Sequence, residues 1–247
     1  MNADGYFDEP VARRYDESGG PEFEAETIRA TVDFLAELAL AGNGRALELA
    51  IGTGRIAVPL SARGVDVHGI DMSKAMVKRL RAKPGGKAIG ATIGDFSTTR
   101  VEGRFSLAYL VFNTIMNVTT QAAQVATFRN AAAHLEPGGC FVVEVGIPDL
   151  QRLPPGSKYV PFNVEATHLG FDEYDVANQG LISHHYNIVK GRAEQISVPF
   201  RYVWPAELDL MAELAGMRLR ERWAGWNGEP FTSESRQHVS VWEKGDG

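Results

Sequence analysis

Between residues 45 and 147 the chain alternates short apolar runs with segments of helical spacing, and that alternation leaves few folds open. Residues 45–50 read as a buried strand. Residues 53–63 read as a helix, with Ile56, Val58 and Leu60 facing inward and Gly64 as its stop. Residues 65–70 form a second strand, and 73–82 a second helix with Ser73 as N-cap. Strands follow at 87–93 and 105–112. A helix spans 121–135, with Val125, Phe128, Ala132 and Leu135 on one face. A Pro137-Gly138-Gly139 turn leads into a fifth strand at 140–145. Strands and helices alternating at this length predict a doubly wound, Rossmann-like α/β sheet.

The flanking segments follow other rules. Pro21 suits the first turn of a helix, and Ile28, Val32, Leu35 and Leu38 recur at helical spacing through residue 40. From 148 to 202 the period is two, as in "FNVEATHLGF" and "LISHHYNIV", which predicts an antiparallel insertion of three or four strands. Helical spacing returns at Pro205, Leu208, Met211 and Leu214. "MRLRERW" and "HVSVWEK" read as two final strands, the last antiparallel. The predicted organisation is one domain: an N-terminal helical lid (1–40), a core (45–147 and 204–245) and a substrate cap (148–203).

Composition narrows the partners. At 247 residues and 44% hydrophobic, the chain can bury a sizeable core. A net charge of −6 and no dense Lys/Arg stripe argue against nucleic acid. No apolar run approaches the ~20 residues of a membrane span, and "MNADGYFDEP" lacks the character of a signal peptide. The single cysteine, Cys140, permits no internal disulfide. A cytoplasmic monomer or homodimer acting on a small molecule is expected, with no metal, since no His/acid cluster falls at ligand spacing.

The stretch "LELAIGTGR", residues 47–55, divides the functional readings. Gly52-x-Gly54-x-x-Ala57 fits a dinucleotide fingerprint, while Glu48 just ahead of the glycines belongs to a different loop. Asp71 ends the second strand, where an acid can accept both hydroxyls of a ribose. Asp95 and Phe96 follow the third strand, placed to bond an adenine amino group and cover the ring. Three strand tips together predict a nucleoside site. A hydride-transferring enzyme needs a proton relay, but the one Tyr-x-x-x-Lys spacing, Tyr186 and Lys190, falls in a β-branched alternating stretch rather than on a helix.

"LELAIGTGR…VHGIDMS…IGDF…LVFNTIMNV…HLEPGGCFVVEV" resembles the class I S-adenosylmethionine-dependent methyltransferases, as does the closing "PAELDLMAELAGMRLRERW…HVSVWEK". The resemblance covers roughly residues 10–147 and 200–245. It implies S-adenosylmethionine as cofactor. Glu48, Gly52, Thr53, Gly54 and Arg55 would hold the methionine half, Asp71 the ribose, and Met72, Asp95 and Phe96 the adenine. Phe112 and Asn113 would lie beside the sulfonium, and Tyr15 would cover the cofactor or meet the substrate. The family's usual glycine is Ala50 here. For the chemistry, Tyr15, His184 and His185 are the candidate catalytic groups. The two histidines are adjacent on a predicted strand, so only one can face inward; His168 lies in the same insertion. Asn117, Met116, Trp204 and Trp226 are candidate substrate contacts. The expected activity is methyl transfer to an N or O atom of a small molecule, such as an amino sugar or another natural-product intermediate. A nicotinamide-dependent oxidoreductase and a catalytically silent nucleoside-binding protein remain the alternatives.

Overall fold

The computed structural model describes residues 6–17, 19–189 and 191–245. The "MNADG" of the N-terminus and Lys190 lie outside the described residues.

The segment ahead of the core carries α1 (Glu9–Arg14) and α2 (Ala25–Leu40). The alternating region yields β1 (Arg45–Leu49), α3 (Ala57–Ser61), β2 (Asp66–Asp71), α4 (Lys74–Ala82), β3 (Gly90–Ile93), β4 (Phe105–Leu110), α5 (Gln121–His134) and β5 (Leu135–Gly146). Four strands follow: β6 (Tyr159–Glu165), β7 (His168–Asp175), β8 (Gly180–Val189) and β9 (Arg192–Arg201). The chain closes with α6 (Pro205–Leu214), β10 (Met217–Trp223) and β11 (Gln237–Lys244).

Seven strands form one sheet in the order β10-β11-β5-β4-β1-β2-β3. β1 runs parallel to β2 and β4, and β4 parallel to β5. β11 runs antiparallel to both of its neighbours. The order reverses at β1, so the cleft opens at the carboxyl ends of β1 and β4. Leu35, Ala39, Ile56, Leu60 and Leu80 of α2, the β1–α3 region and α4 pack on one face. Phe128, Ala131, Leu208 and Met211 of α5 and α6 pack on the other, with Phe141 and Trp242. Each fully buried leucine, isoleucine, methionine or phenylalanine among them stabilises the fold by roughly 1.5–3 kcal/mol. The separate sheet β6-β7-β8-β9 is antiparallel throughout.

Some predicted boundaries move for local reasons. The helix expected over 53–63 forms only at Ala57–Ser61, because Gly52 (φ 57°) and Gly54 (φ 74°) spend the preceding residues in left-handed turns. The third strand begins at Gly90 rather than 87, since Gly86–Ala88 make a 3-10 turn. Pro21 opens a 3-10 turn, Glu24 is extended, and α2 starts only at Ala25. Pro137-Gly138-Gly139 is a wide bulge at the start of β5: Phe105 pairs with Leu135 but Leu107 with Cys140.

Candidate active site

The strand tips of β1, β2 and β3 meet as the topology requires. Asp71 ends β2 and accepts the Gly52 N–H at 2.7 Å and the Ser73 N–H at 2.7 Å, one on each carboxylate oxygen. These two backbone donors fix the carboxylate's orientation at the β2 tip. Ser73 then caps α4 by accepting from Met76 N. Around Asp71 lies a cavity of about 340 Å³, lined in part by Ala50, Gly52, Met72, Met76, Asp95 and Phe96. Met72, 55% exposed, gives that cavity an apolar wall. Asp95 closes a tight turn by accepting the Ser97 N–H at 2.8 Å. A carboxylate that can accept a diol, with Met72 and Phe96 lining the same cavity, suits a nucleoside in shape and chemistry.

Other residues of the glycine loop act from beneath. Glu48 is buried and accepts the Tyr109 hydroxyl at 3.0 Å. Burial pushes its carboxyl up to about 8, against the Tyr109 bond and the nearby Arg55 charge. A Cβ on Gly54 would meet Leu80 Cδ1 at 2.3 Å, so this glycine admits α4 packing as well as the turn. The Thr53 hydroxyl donates to Asp16 at 2.6 Å, and Lys83 pairs with the same Asp16 at 2.9 Å. The Arg55 guanidinium lies 5.1 Å from the Phe23 ring and 5.5 Å from Phe112. Glu48, Thr53, Gly54 and Arg55 therefore shape the loop and seat the N-terminal segment, without lining the cavity.

That segment forms a strap over the cleft. Phe7 O accepts the Ser73 hydroxyl at 2.5 Å, and Glu9 pairs with Arg79 at 3.1 Å. Edge-on aromatic contacts run from Tyr6 through Phe7, Tyr15 and Phe23 to Phe112. Phe7 and Tyr15 line the first cavity and also a second, of about 720 Å³, which shares Thr114 and Asn117 with it. Phe112, Asn113, His185, Ile196, Val198 and Phe200 complete much of its wall. Burial raises the Tyr15 phenol above its ordinary value, opposed in part by Arg55. Phe112 and Asn113 both hold left-handed backbones, φ 55° and 57°. Glu144 accepts the Phe112 N–H at 2.9 Å, and Asn113 Oδ1 accepts the Gly146 N–H at 2.6 Å.

The histidines separate by face. His185 lines the large cavity, with Nδ1 3.1 Å from His168 Nε2 and Nε2 3.3 Å from Ser183 Oγ. His184 corrects the sequence expectation of a catalytic group. It lies on the opposite face, bonded to Ser197 Oγ at 2.8 Å and Glu173 at 3.2 Å. Two expected substrate contacts are corrected likewise. Trp226 packs edge-on against Phe34 and donates to Glu144 at 2.8 Å. Trp204 caps α6 and meets Tyr202 edge-on. Neither lines the two adjoining cavities. Met116 lies in a smaller chamber behind, and Asn117 borders both cavities. Tyr186 stacks near Phe171 on the face away from the cleft.

Sequence reasoning missed Phe7, Met76, Thr114 and the 118–120 turn as cavity walls. Phe7 stood out only as an isolated aromatic, and the turn gave no spacing to read. Among the described residues no group of His, Cys, Asp and Glu could hold a metal ion, and no helix is long and apolar enough to cross a membrane.

Comparison with known proteins decides between the readings of this cleft. The structure of the CcbJ methyltransferase from Streptomyces caelestis is 36% identical, covers 99% of this chain and 100% of its own, and superposes with a TM-score of 0.86. The chain belongs to the class I S-adenosylmethionine-dependent methyltransferases. The family described as a methyltransferase domain matches residues 46–139 of this methyltransferase. The cypemycin N-terminal methyltransferase of a Streptomyces species is 27% identical over 203 residues, 80% of this chain and 82% of that one. SAM-bound CalS10, an amino pentose methyltransferase from Micromonospora echinaspora, shares the fold at 17% identity and TM-score 0.71, covering 99% of this chain and 100% of its own. The methyltransferase uses S-adenosylmethionine, and the nicotinamide reading of its glycine loop falls.

Proposed function

We propose that this methyltransferase transfers a methyl group to an amine nitrogen of a small natural-product intermediate held in the 720 Å³ cavity. The observation that carries the reading is the second cavity itself, which abuts the cofactor cavity at Phe7, Tyr15, Thr114 and Asn117. Its size and largely apolar wall suit a drug-sized acceptor. The three relatives described above, two named for N-terminal or amino-pentose substrates, lend support.

S-adenosylmethionine supplies an electrophilic methyl on a sulfonium. What the chain contributes is orientation and exclusion of water. Tyr15 and Phe7 roof the junction, and Asn117 offers an amide to position the acceptor. An alcohol acceptor needs a base, whereas a neutral amine brings its own lone pair. Burial keeps Tyr15 a phenol, and both His185 nitrogens are engaged by His168 and Ser183. These facts favour nitrogen over oxygen. The strap and the cap sheet β6–β9 form the acceptor-facing parts of the domain.

The test is methyl transfer from labelled cofactor to matched pairs of amine and alcohol acceptors on one skeleton. Turnover of the amines alone is expected; turnover confined to the alcohols overturns the nitrogen assignment. Asp71→Ala is expected to weaken S-adenosylhomocysteine binding by about 1–3 kcal/mol through lost charged hydrogen bonds. Unchanged affinity by calorimetry removes Asp71 from the ribose site.

A further inference from the structure

Behind the acceptor cavity, and sharing Asn113 and Phe200 with it, lies a chamber of about 270 Å³. The rings of Tyr174, Phe200 and Tyr202 line it, together with Asp149 and Asp172. Tyr174 and Tyr202 stand 5.8 Å apart, centroid to centroid, and belong to the same buried cluster. Asp149 is already offset by Arg152 at 3.2 Å and Arg236 at 3.7 Å.

Asp172 is in a different position. It sits on β7 opposite Ser183 of β8, whose hydroxyl favours its charged form. Among the described residues no Lys or Arg pairs with it; His184 acts on it only from the other face of the sheet. Half-burial pushes its carboxyl above the ordinary value. A carboxylate removed from water without a counter-ion costs free energy that a bound cation recovers. Aromatic rings in the same chamber add to the attraction, as in sites that take organic ammonium groups. The main cavity has no such bias, since Arg14 and Glu194 both line it.

We propose that this chamber is a cation subsite, in which Asp172 and the rings of Tyr174, Phe200 and Tyr202 hold an ammonium group of the acceptor away from the atom that receives the methyl. The proposal rests on reading the larger cavity as the acceptor site. It makes Asp172 a specificity-determining residue, selecting acceptors with a second, charged nitrogen.

The test uses tetramethylammonium and its neutral counterpart tert-butanol as probes, titrated by NMR into the full chain saturated with S-adenosylhomocysteine. Tetramethylammonium is expected to bind about tenfold more tightly than tert-butanol, with its methyl signal shifted upfield by the rings. Asp172→Asn is expected to erase the preference and Asp149→Asn to keep it. Equal binding of the probes, no binding, or a preference that survives Asp172→Asn overturns the subsite. If Asp172→Asn fails to fold, the wild-type comparison and the ring shift decide alone: no preference or no shift overturns it. No turnover is involved, so failure here leaves the amine assay untouched, and failure of the amine assay leaves the binding result standing.

Discussion

At the scale of single residues, the glycine loop carries charge and backbone strain that composition alone does not show. Glu48 is protonated up to about pH 8 in the folded chain, against 4.5 for an ordinary carboxyl. Between those values the unfolded chain has lost a proton that the folded chain keeps, so this group's contribution falls as pH rises. The slope is at most about 1.4 kcal/mol per pH unit. Denaturant titrations of the ligand-free protein from pH 5 to 8 are expected to show the decline, and Glu48→Gln to flatten it. Ala50 holds φ 60°, a left-handed backbone that an alanine adopts at a cost of about 1–2 kcal/mol. Ala50→Gly is expected to raise stability by about 0.5–1 kcal/mol after glycine's added unfolded-state freedom is deducted, measurable as a higher Tm. Glu48 was legible as a motif residue because it precedes two glycines. Its place under the loop was not, because that depends on Tyr109, sixty-one residues away.

At the scale of elements, the site is held by side chains that never touch a ligand cavity. Trp226 bonds Glu144, and Glu144 holds the Phe112 N–H, keeping the β4 tip in its left-handed turn. Trp226→Phe leaves one buried carboxylate oxygen without its donor. Methyl-transfer kcat is expected to fall about tenfold, with a stability loss of about 1–3 kcal/mol by thermal unfolding. Arg201, at the end of β9, donates to Glu207 of α6 at 2.7 Å and also bonds Gln124 of α5. Gln124 in turn donates to Ile115 O at 3.1 Å, tying the β4 loop to the cap. Arg201→Ala leaves the partly buried Glu207 with only its Gln121 and Gln179 donors and is expected to cost about 1–3 kcal/mol by thermal unfolding, while Arg201→Met with Glu207→Met recovers most of it. The alternation of apolar runs made the core elements legible, and period two revealed the cap. The roles of Trp226 and Arg201 were not legible, since an indole or a guanidinium in sequence carries no sign of which buried acid it will meet.

For the molecule as a whole, the proposed acceptor cavity belongs to no single part of the fold. The core supplies Phe112, Asn113 and Asn117, the cap His185, Ile196 and Phe200, and the strap Phe7 and Tyr15. The strap is fixed to the core by Asp16 with Thr53 and Lys83, and by Glu9 with Arg79. Asp16→Ala is expected to weaken S-adenosylhomocysteine binding several-fold and to expose the strap to limited proteolysis. Unchanged affinity and protection would show that these polar ties do not seat it. Because Phe7 and Tyr15 wall both cavities, the strap that covers the one also completes the other. An ordered sequence is expected, with the methyl donor first in and its demethylated product last out. Steady-state kinetics should accordingly show S-adenosylhomocysteine competing directly with the donor but inhibiting noncompetitively against the acceptor.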